Sequence, residues 1–288
     1  MGVCCSRRNN EDDNKFRYID GRRYHSISDS EYMLANDDEE ADRLVRYHEA
    51  SKEIWGGLYY SPVEKKLKQG AKVIDVGCGT GTWLLDMAQK YPNSDFVGID
   101  FSPIFPTEGL PVNLKFINCN FLDGSPFEDS YFDFTHQKFM SAAYTDVQWE
   151  KKVIPEMIRI TKSGGWIEFT EAYVFTSTGN ATRLIDYFKS KDLHFQTDKS
   201  LSQFLKNTNA FSEIKSEIKT ITMGQRGGKS GQESIKFYVR GISTARTVFA
   251  SFMNITPEHF DALLETVFIE AEKCNTYGDQ YRIYGRKL

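Results

Sequence analysis

The sequence has no surplus of positive charge, no long apolar run and no pair of CxxC motifs. It carries 36 Lys and Arg against 40 Asp and Glu, so its charge does not favour nucleic-acid binding. No stretch reaches the roughly 18 apolar residues of a membrane-spanning helix, and no signal-peptide pattern occurs. The five cysteines and five histidines are scattered. We therefore expect no metal site and a reducing, intracellular setting.

The chain divides into a polar N-terminal segment and one larger unit. Residues 1–30 are rich in Arg, Asn, Asp, Glu and Ser, a composition that predicts disorder. Residues 31–288 show no internal repeat and no sign of a second domain. Helices are expected at 38–53 and, behind a Ser61–Glu64 capping box, up to Gly70.

From residue 72 the chain alternates between short apolar runs and helical patterns. This alternation predicts a parallel, doubly wound α/β sheet. The predicted strands are 73–76, 96–100, 114–118, 132–136 and 166–171, with helices at 82–91 and 149–161. Weaker signals predict helices at 180–191, 200–207 and 256–273, strands at 214–223 and 280–286, and a polar loop at 224–231.

A glycine-rich loop follows the first predicted strand of this sheet. Gly77, Gly79 and Gly81 let the backbone turn tightly and approach a ligand. The spacing differs from the dinucleotide pattern G-x-G-x-x-G, and no Lys follows Gly81 as a Walker loop requires. We expect a ligand with an amino-acid end instead. Asp75 would bind its ammonium, and the loop N–H groups its carboxylate.

Two further polar residues follow the next strands. Asp100 closes the second strand of the predicted sheet, where a carboxylate can accept hydrogen bonds from both hydroxyls of a ribose. Asn120 follows the third strand, where its amide is placed to contact an adenine edge, with Phe121 packing on the ring. A glycine turn alone is often only structural, but these features in order predict a nucleoside-containing cofactor.

At these residues the chain resembles the class I S-adenosylmethionine (SAM)-dependent methyltransferases. The segments 73–81, 98–100, 120–127 and 162–166 are similar to the first motif, the ribose acid, the adenine loop and the turn before strand five. The resemblance covers about residues 70–171. It implies SAM as cofactor and a Rossmann-like, doubly wound sheet of seven mostly parallel strands, with an antiparallel last strand beside strand five.

The resemblance also implies one methyltransferase domain at 31–288, with a core at 70–171. An N-terminal helical cap at 31–69 would cover the cofactor, and further strands and helices follow at 172–288. The cofactor-binding residues so predicted are Asp75, Gly77, Gly79, Thr80, Gly81, Asp100, Phe101, Asn120 and Phe121.

A narrower resemblance is to the fungal LaeA-like methyltransferases, which are linked to the regulation of secondary metabolism. It lies in the segments 21–25, 34–40, 56–59 and 136–138. Ala35 stands where proline is usual in those proteins, and Lys138 where arginine is usual. These departures leave the cofactor motifs intact.

Two residues at strand ends are candidate catalytic bases for an acceptor that must lose a proton. His136 ends strand four and Glu171 ends strand five. Each also has a plain structural alternative, as a packed histidine and as a solvated carboxylate. Tyr24 and Tyr59 are either lid residues over the cofactor or ordinary core aromatics.

The first six residues fit M-G-x-x-x-[ST], the N-myristoylation pattern. Cys4 and Cys5 lie beside Gly2 as palmitoylation candidates, and two acyl chains together would anchor stably. We therefore expect a cytoplasmic protein that associates peripherally with membranes if acylated. The alternative is a disordered tip that matches by chance.

The leading hypothesis is an enzyme that methylates a small molecule or a protein. A non-catalytic or weakly active SAM-binding regulator of LaeA-like type is the alternative. A nicotinamide oxidoreductase is disfavoured by the glycine spacing. The sequence predicts neither the acceptor nor the oligomeric state.

Overall fold

A computed structural model describes residues 16–25, 33–175, 190–191, 198–273 and 276–288. Nine strands occur in these ranges: β1 (Phe16–Ile19), β2 (Arg22–His25), β3 (Lys72–Val76), β4 (Asp95–Asp100), β5 (Leu114–Asn118), β6 (Phe132–Lys138), β7 (Thr161–Phe175), β8 (Phe211–Thr222) and β9 (Tyr277–Lys287). The described helices are α1 (Asp38–Trp55), α2 (Glu64–Gln69), α3 (Thr82–Lys90), α4 (Asp146–Gln148), α5 (Ile154–Ile160), α6 (Asp198–Asn207), α7 (Gly228–Thr244), α8 (Arg246–Met253) and α9 (Pro257–Lys273).

Seven strands form one sheet in the order β5-β4-β3-β6-β7-β9-β8. The pairs from β5 to β7 are parallel, whereas β9 runs antiparallel to both of its neighbours. This is the predicted doubly wound sheet with an inserted antiparallel last strand. The order reverses direction at β3, so the crevice beyond the carboxyl ends of β3, β4 and β6 is where such sheets bind ligands.

The central strands β3, β4 and β6 form where the apolar runs predicted them, because both faces of the sheet are covered there and these strands are mostly buried. Val73, Ile74 and Val76 of β3 have no exposed surface. On one face, α3 packs Trp83, Leu84 and Met87 against the sheet. On the other, a cluster around Trp149 and α5 packs against β6 and β7. A one-turn π-helix, Trp149–Val153, joins α4 to α5.

The prediction of disorder for residues 1–30 is wrong for the part that the structure describes. Residues 16–25 form the antiparallel hairpin β1–β2. Arg22 donates to both carboxylate oxygens of Asp37 at 2.6 and 2.9 Å, and Asp37 caps α1 by accepting from the Glu40 N–H. The Tyr24 hydroxyl donates to the carbonyl of Thr244. These partners are distant in sequence, so composition does not reveal them. Residues 1–15 and 26–30 lie outside the described ranges.

The capping box predicted at Ser61–Glu64 does not form. Helix α2 begins at Glu64, its N-cap is Val63, and no side chain caps it. The Ser61 hydroxyl instead donates to Glu168 of β7 at 2.6 Å, and the N–H groups of Tyr60 and Ser61 donate to the same carboxylate. A buried carboxylate on a central strand needs these hydrogen-bond donors. The Ser61 side chain therefore bonds Glu168 and does not cap α2.

Two helices that are distant in sequence cover the carboxyl ends of the strands. Helix α1 packs against α7, where Tyr47 stacks on Phe237 with ring centroids 3.5 Å apart. Gln280 of β9 holds α1 to the sheet, because its side chain bonds Ser51, Trp55 and Tyr47. The cap predicted for residues 31–69 therefore has a second component, α7.

The polar loop predicted at 224–231 is wrong over its second half, since α7 already begins at Gly228. A Cβ on Gly227 or Gly231 would overlap the backbone of Thr222, so these glycines permit close packing rather than a flexible loop. The predicted helix at 180–191 lies almost wholly outside the described ranges. Among the helices that the structure describes, none has the length and apolar character needed to cross a membrane.

Candidate cofactor site

A cavity opens at the carboxyl ends of β3, β4 and β6, beneath α1 and α7. It brings together parts of the chain that are more than 190 residues apart in sequence, so only the folded chain creates it. Its lining includes Asn36, Glu40, Leu44, His48, Asp75, Gly77, Cys78, Gly79, Thr80, Trp83, Asp100, Phe101, Ser102, Lys138, Phe139, Met140 and Phe237. Seven of the nine residues predicted to bind the cofactor lie here or, like Gly81, directly beside it.

The glycine loop between β3 and α3 adopts the tight turn that its sequence predicts. Gly77, Gly79 and Gly81 have φ angles of 71°, 55° and 71°, in the left-handed region that disfavours side chains. Space is also restricted, because a Cβ on Gly77 would lie 2.6 Å from Met140 Sδ, and one on Gly81 would overlap the ring of Phe116. Conformation thus favours glycine at all three positions, and packing does so at Gly77 and Gly81.

The loop meets the carboxylate of Asp100, as predicted. The Gly79 N–H donates to Asp100 Oδ2 and the Ser102 N–H donates to Oδ1, both at 2.8 Å. Burial raises the pKa of Asp100 to about 6, although these N–H bonds act in the opposite direction. Near pH 7 the group is a carboxylate that lies in the cavity and retains acceptor capacity for ligand hydroxyls.

The loop's own N–H groups are mostly engaged within the protein. Gly77 and Cys78 both donate to the carbonyl of Ile99, at 2.8 and 3.0 Å, and Gly81 donates to that of Cys78 at 2.9 Å. With Gly79 bonded to Asp100, four donors are unavailable to a ligand. The expectation that this loop would hold a ligand carboxylate is therefore not supported for these four groups.

Asp75 lines the cavity, but the predicted base His136 does not reach it. His136 is fully buried, its Nδ1 lies 2.7 Å from Asp75 Oδ1, and its ring stacks on Trp83 at 3.8 Å. Trp83 is fixed in turn by donating its indole N–H to the carbonyl of Leu58. In this arrangement His136 orients Asp75 and has no access to an acceptor.

Glu171, the other predicted base, is also fully buried and away from the cavity lining. Its two oxygens accept from the N–H groups of Met140 and Ser141 at 2.8 and 3.1 Å, and burial raises its pKa to about 8. It thereby fixes the turn in which Phe139 takes a φ of 59°. The side chain shapes the cavity wall and does not touch a substrate.

The predicted adenine contacts Asn120 and Phe121 lie outside the cavity lining. Asn120 caps the one-turn 3-10 helix Phe121–Asp123 by accepting from the Leu122 N–H, and Phe121 is buried in the core. Phe101, by contrast, lines the cavity and meets the ring of His25 edge-on at 4.9 Å. Phe101 is thus the aromatic residue after β4 that lines the cavity.

Several cavity residues were missed by sequence reasoning. Glu40, Leu44 and His48 belong to α1, and Phe237 belongs to α7. Their spacing on α1 at four-residue intervals marks one face of a helix, but nothing local shows that this face covers a ligand site. Lys138 follows His136 on β6, and its place in the LaeA-like segment was the available signal.

Comparison with known proteins agrees with this geometry. Residues 73–165 match the family described as "Methyltransferase domain". The N-methyltransferase verN of Clonostachys rogersoniana is 31% identical over 144 residues, covering 49% of this chain and 50% of that protein. The secondary metabolism regulator LAE1 of Cochliobolus heterostrophus is 34% identical over 155 residues, covering 52% and 49%. The chain thus spans about half the length of these curated relatives.

Solved structures support the fold. The phosphoethanolamine N-methyltransferase 2 of Haemonchus contortus, solved in complex with SAM, superposes with a TM-score of 0.50 at 15% identity, covering 86% of this chain and 57% of that one. At such identity the likeness concerns the fold alone. The family match shows that the chain carries a methyltransferase domain at residues 73–165, the part that includes the glycine loop and Asp100.

Proposed function

We propose that this protein transfers a methyl group from SAM to a small-molecule acceptor. The observation that carries the proposal is the meeting of the glycine loop with Asp100 at the floor of a cavity beneath α1 and α7. Asp75 at one side would bind the cofactor's ammonium, and Asp100 its ribose hydroxyls. Phe101 lies beside Asp100, where it would pack on the adenosine.

A second, more apolar cavity supports a small-molecule acceptor rather than a protein side chain. It adjoins the first, and Leu44, Phe139 and Phe237 line both. Its remaining walls are mainly apolar, with Met33, Leu34, Ala142, Ala172 and Ile242 among them. An acceptor in this chamber would contact apolar side chains of α1 and α7, which suits a small apolar molecule.

The arrangement supports transfer by alignment. The sulfonium of SAM is an activated donor, and holding two reactants in line can lower the barrier by roughly 7–11 kcal/mol. Neither His136 nor Glu171 reaches the cavity. We therefore propose that the acceptor atom is nucleophilic without His136 or Glu171 acting as a base. A neutral amine, a thiolate and an electron-rich carbon atom are acceptors of this kind.

The test uses SAM with a radiolabelled methyl group and a small-molecule extract from cells. We expect label in low-molecular-weight products. Ala142→Leu, which narrows the second cavity, should abolish transfer while leaving the dissociation constant for SAM unchanged. Label that enters only protein, or transfer unaffected by Ala142→Leu, would contradict the small-molecule proposal.

A second candidate is a SAM-binding regulator with little or no turnover. It is favoured by the similarity to the regulator LAE1 and by the burial of both predicted bases. For such a protein, calorimetry would show SAM binding while no extract accepts label. Asp100→Asn would then alter regulation through loss of SAM binding rather than through loss of product.

Membrane association through acylated Gly2, Cys4 and Cys5 stays a prediction, since these residues lie outside the described ranges. Cells that express the native N-terminus should carry the protein in the membrane pellet. Gly2→Ala should move it to the soluble fraction, and an unchanged distribution would contradict the prediction.

A further inference from the structure

Lys138, at the carboxyl end of β6, places an ammonium group in the cofactor cavity. It lines the cavity together with Asp75 and the glycine loop. Its Nζ lies 2.8 Å from Nδ1 of His48 on α1. Among the described residues it has no ion-pair partner, which is unusual because a partly buried charge is normally paired.

His48 connects this lysine to the far side of α1. Its Nε2 lies 3.2 Å from Asp86 Oδ2 on α3, and Lys52 Nζ lies 2.8 Å from the same oxygen. A lysine ammonium only donates, so Nδ1 of His48 accepts from Lys138 and Nε2–H donates to Asp86. Burial and the nearby Lys138 lower the pKa of His48 to about 3. The imidazole is therefore neutral, and this tautomer fixes one N–H of Lys138.

The hydrogen-bonded series Lys138–His48–Asp86 does not neutralise the charge of Lys138, so an anionic group in the cavity can pair with it. His48 accepts one of the three N–H groups, so two remain for a ligand. The same histidine, with Glu49 and Asp86, forms a cluster with potential metal ligands within 4.8 Å of one another. The ammonium of Lys52 already bonds both carboxylates, at 2.9 and 2.8 Å. The Lys52 ammonium thus occupies the cluster as an internal cation. The cluster, through His48, orients Lys138.

A ligand carboxylate needs hydrogen-bond donors, and four N–H groups of the glycine loop are already engaged. Gly77, Cys78, Gly79 and Gly81 all donate their N–H groups within the protein. Asp75 lines the cavity, where its carboxyl group suits the ammonium of an amino acid. A zwitterionic amino-acid end therefore finds a carboxylate and an ammonium in the same cavity, on the adjacent strands β3 and β6.

We propose that Lys138 binds the methionyl carboxylate of the cofactor, and that His48 and Asp86 are positioning residues for it. This inference rests on the proposed function, since it assigns one subsite of the same cavity. In this arrangement the methionyl end of the cofactor, and not its adenosine, is linked to α1 through Lys138 and His48.

The experiment compares SAM with 5′-methylthioadenosine, which keeps the nucleoside and lacks the amino-acid end. Calorimetry on the full chain would measure both dissociation constants for wild type, Lys138→Met and Lys138→Arg. Losing a charged hydrogen bond should weaken SAM binding about ten- to hundredfold in Lys138→Met. Binding of 5′-methylthioadenosine should stay unchanged, and Lys138→Arg should retain most of the SAM affinity.

The outcomes separate this inference from the proposed function. If wild type binds neither ligand, the proposed function fails. If wild type binds SAM, but Lys138→Met weakens both ligands equally or neither, the carboxylate assignment is wrong. Since 5′-methylthioadenosine reports on the adenosine half, its unchanged affinity also shows that Lys138→Met is folded.

A pH profile tests the role of charge directly. Burial lowers the pKa of Lys138 to about 8, so the free protein loses this ammonium as the pH rises through that value. SAM affinity of wild type, relative to that of Lys138→Arg, should then fall by up to about tenfold per pH unit above 8. The ratio cancels titration of the cofactor's own amine. A flat ratio would overturn the proposal. The charged and titratable groups that act on Lys138 are His48, Asp75, Asp86, Glu49 and Arg282.

Discussion

Replacing Asp100 by asparagine changes the charge at the floor of the cofactor cavity with little change in shape. In the native protein each carboxylate oxygen accepts one backbone N–H, from Gly79 and from Ser102, and keeps further acceptor capacity. The asparagine oxygen can replace only one of these acceptors. Its NH₂ group would face the other N–H donor, and the charge that polarises bonds to ribose hydroxyls would be lost.

The size of the effect follows from this count. A hydrogen bond to a charged group contributes about 1.5–3 kcal/mol, and every 1.4 kcal/mol corresponds to about a factor of ten in affinity. Loss of one such bond to the ribose predicts a dissociation constant for SAM raised about ten- to hundredfold. The fold should persist, because β4 is held by its neighbours β3 and β5.

Calorimetric titration with SAM at pH 7.5 measures this change, and thermal melting checks the fold. Asp95→Asn is the matched control, because Asp95 is exposed at the opposite end of the same strand. Since the pKa of Asp100 is raised to about 6, the wild-type carboxylate is lost as the pH falls below 6. The affinities of wild type and Asp100→Asn should therefore converge there. Equal affinities at pH 7.5, or the same loss in Asp95→Asn, would refute the ribose role.

Three further substitutions test the surroundings of the cavity. Gly81→Ala should lower the free energy of unfolding by at least about 1–2 kcal/mol in a urea melt, since φ is 71° and the Cβ would overlap Phe116; no loss would contradict the geometry. Glu171→Gln should gain stability relative to wild type as the pH rises from about 4.5 to 8, by up to about 1.4 kcal/mol per pH unit. The reason is the raised pKa of Glu171: in this range the folded wild type holds a proton that the unfolded chain releases. A difference independent of pH would argue against this burial. His136→Asn should weaken SAM binding by releasing Asp75, whereas unchanged binding with lost turnover would restore His136 as a base.

The sheet and the glycine loop were predictable because their signals are local. Buried strands such as 73–76 show as short, mainly apolar runs, and the spacing of Gly77, Gly79 and Gly81 predicts the turn that follows. Asp100 was predictable because parallel strands end at one edge of the sheet, so the residue closing β4 must lie near the loop that follows β3.

The failures share a cause, which is that burial is decided by distant packing. His136 and Glu171 do not end their strands, since β6 continues to Lys138 and β7 to Phe175. In the fold, Trp83 covers the first and the turn at 139–141 closes over the second. Similarly, the place of Lys138 depends on α1 docking over the sheet. No window of sequence around residue 138 contains His48.

The glycines at the start of α7 also show that distant packing, which the local sequence does not reveal, decides the structure. A cluster that includes Gly227, Gly228 and Gly231 is typical of a loop. In the protein, Gly227 and Gly231 let α7 lie directly against the backbone of Thr222. Composition does not distinguish a glycine that gives the backbone conformational freedom from one that lets two backbone segments pack closely.

The insertion of β9 between β7 and β8 has a consequence for how the protein is made. Among the described strands, β8 pairs with the sheet only through β9 (Tyr277–Lys287), and Gln280 of β9 holds α1 over the ligand cavity. During synthesis these residues leave the ribosome after all the other described strands. A nascent chain can thus form β3–β6 early, but it should acquire affinity for SAM only once β9 has emerged from the ribosome. A ribosome-bound chain stalled before residue 277 should bind SAM weakly.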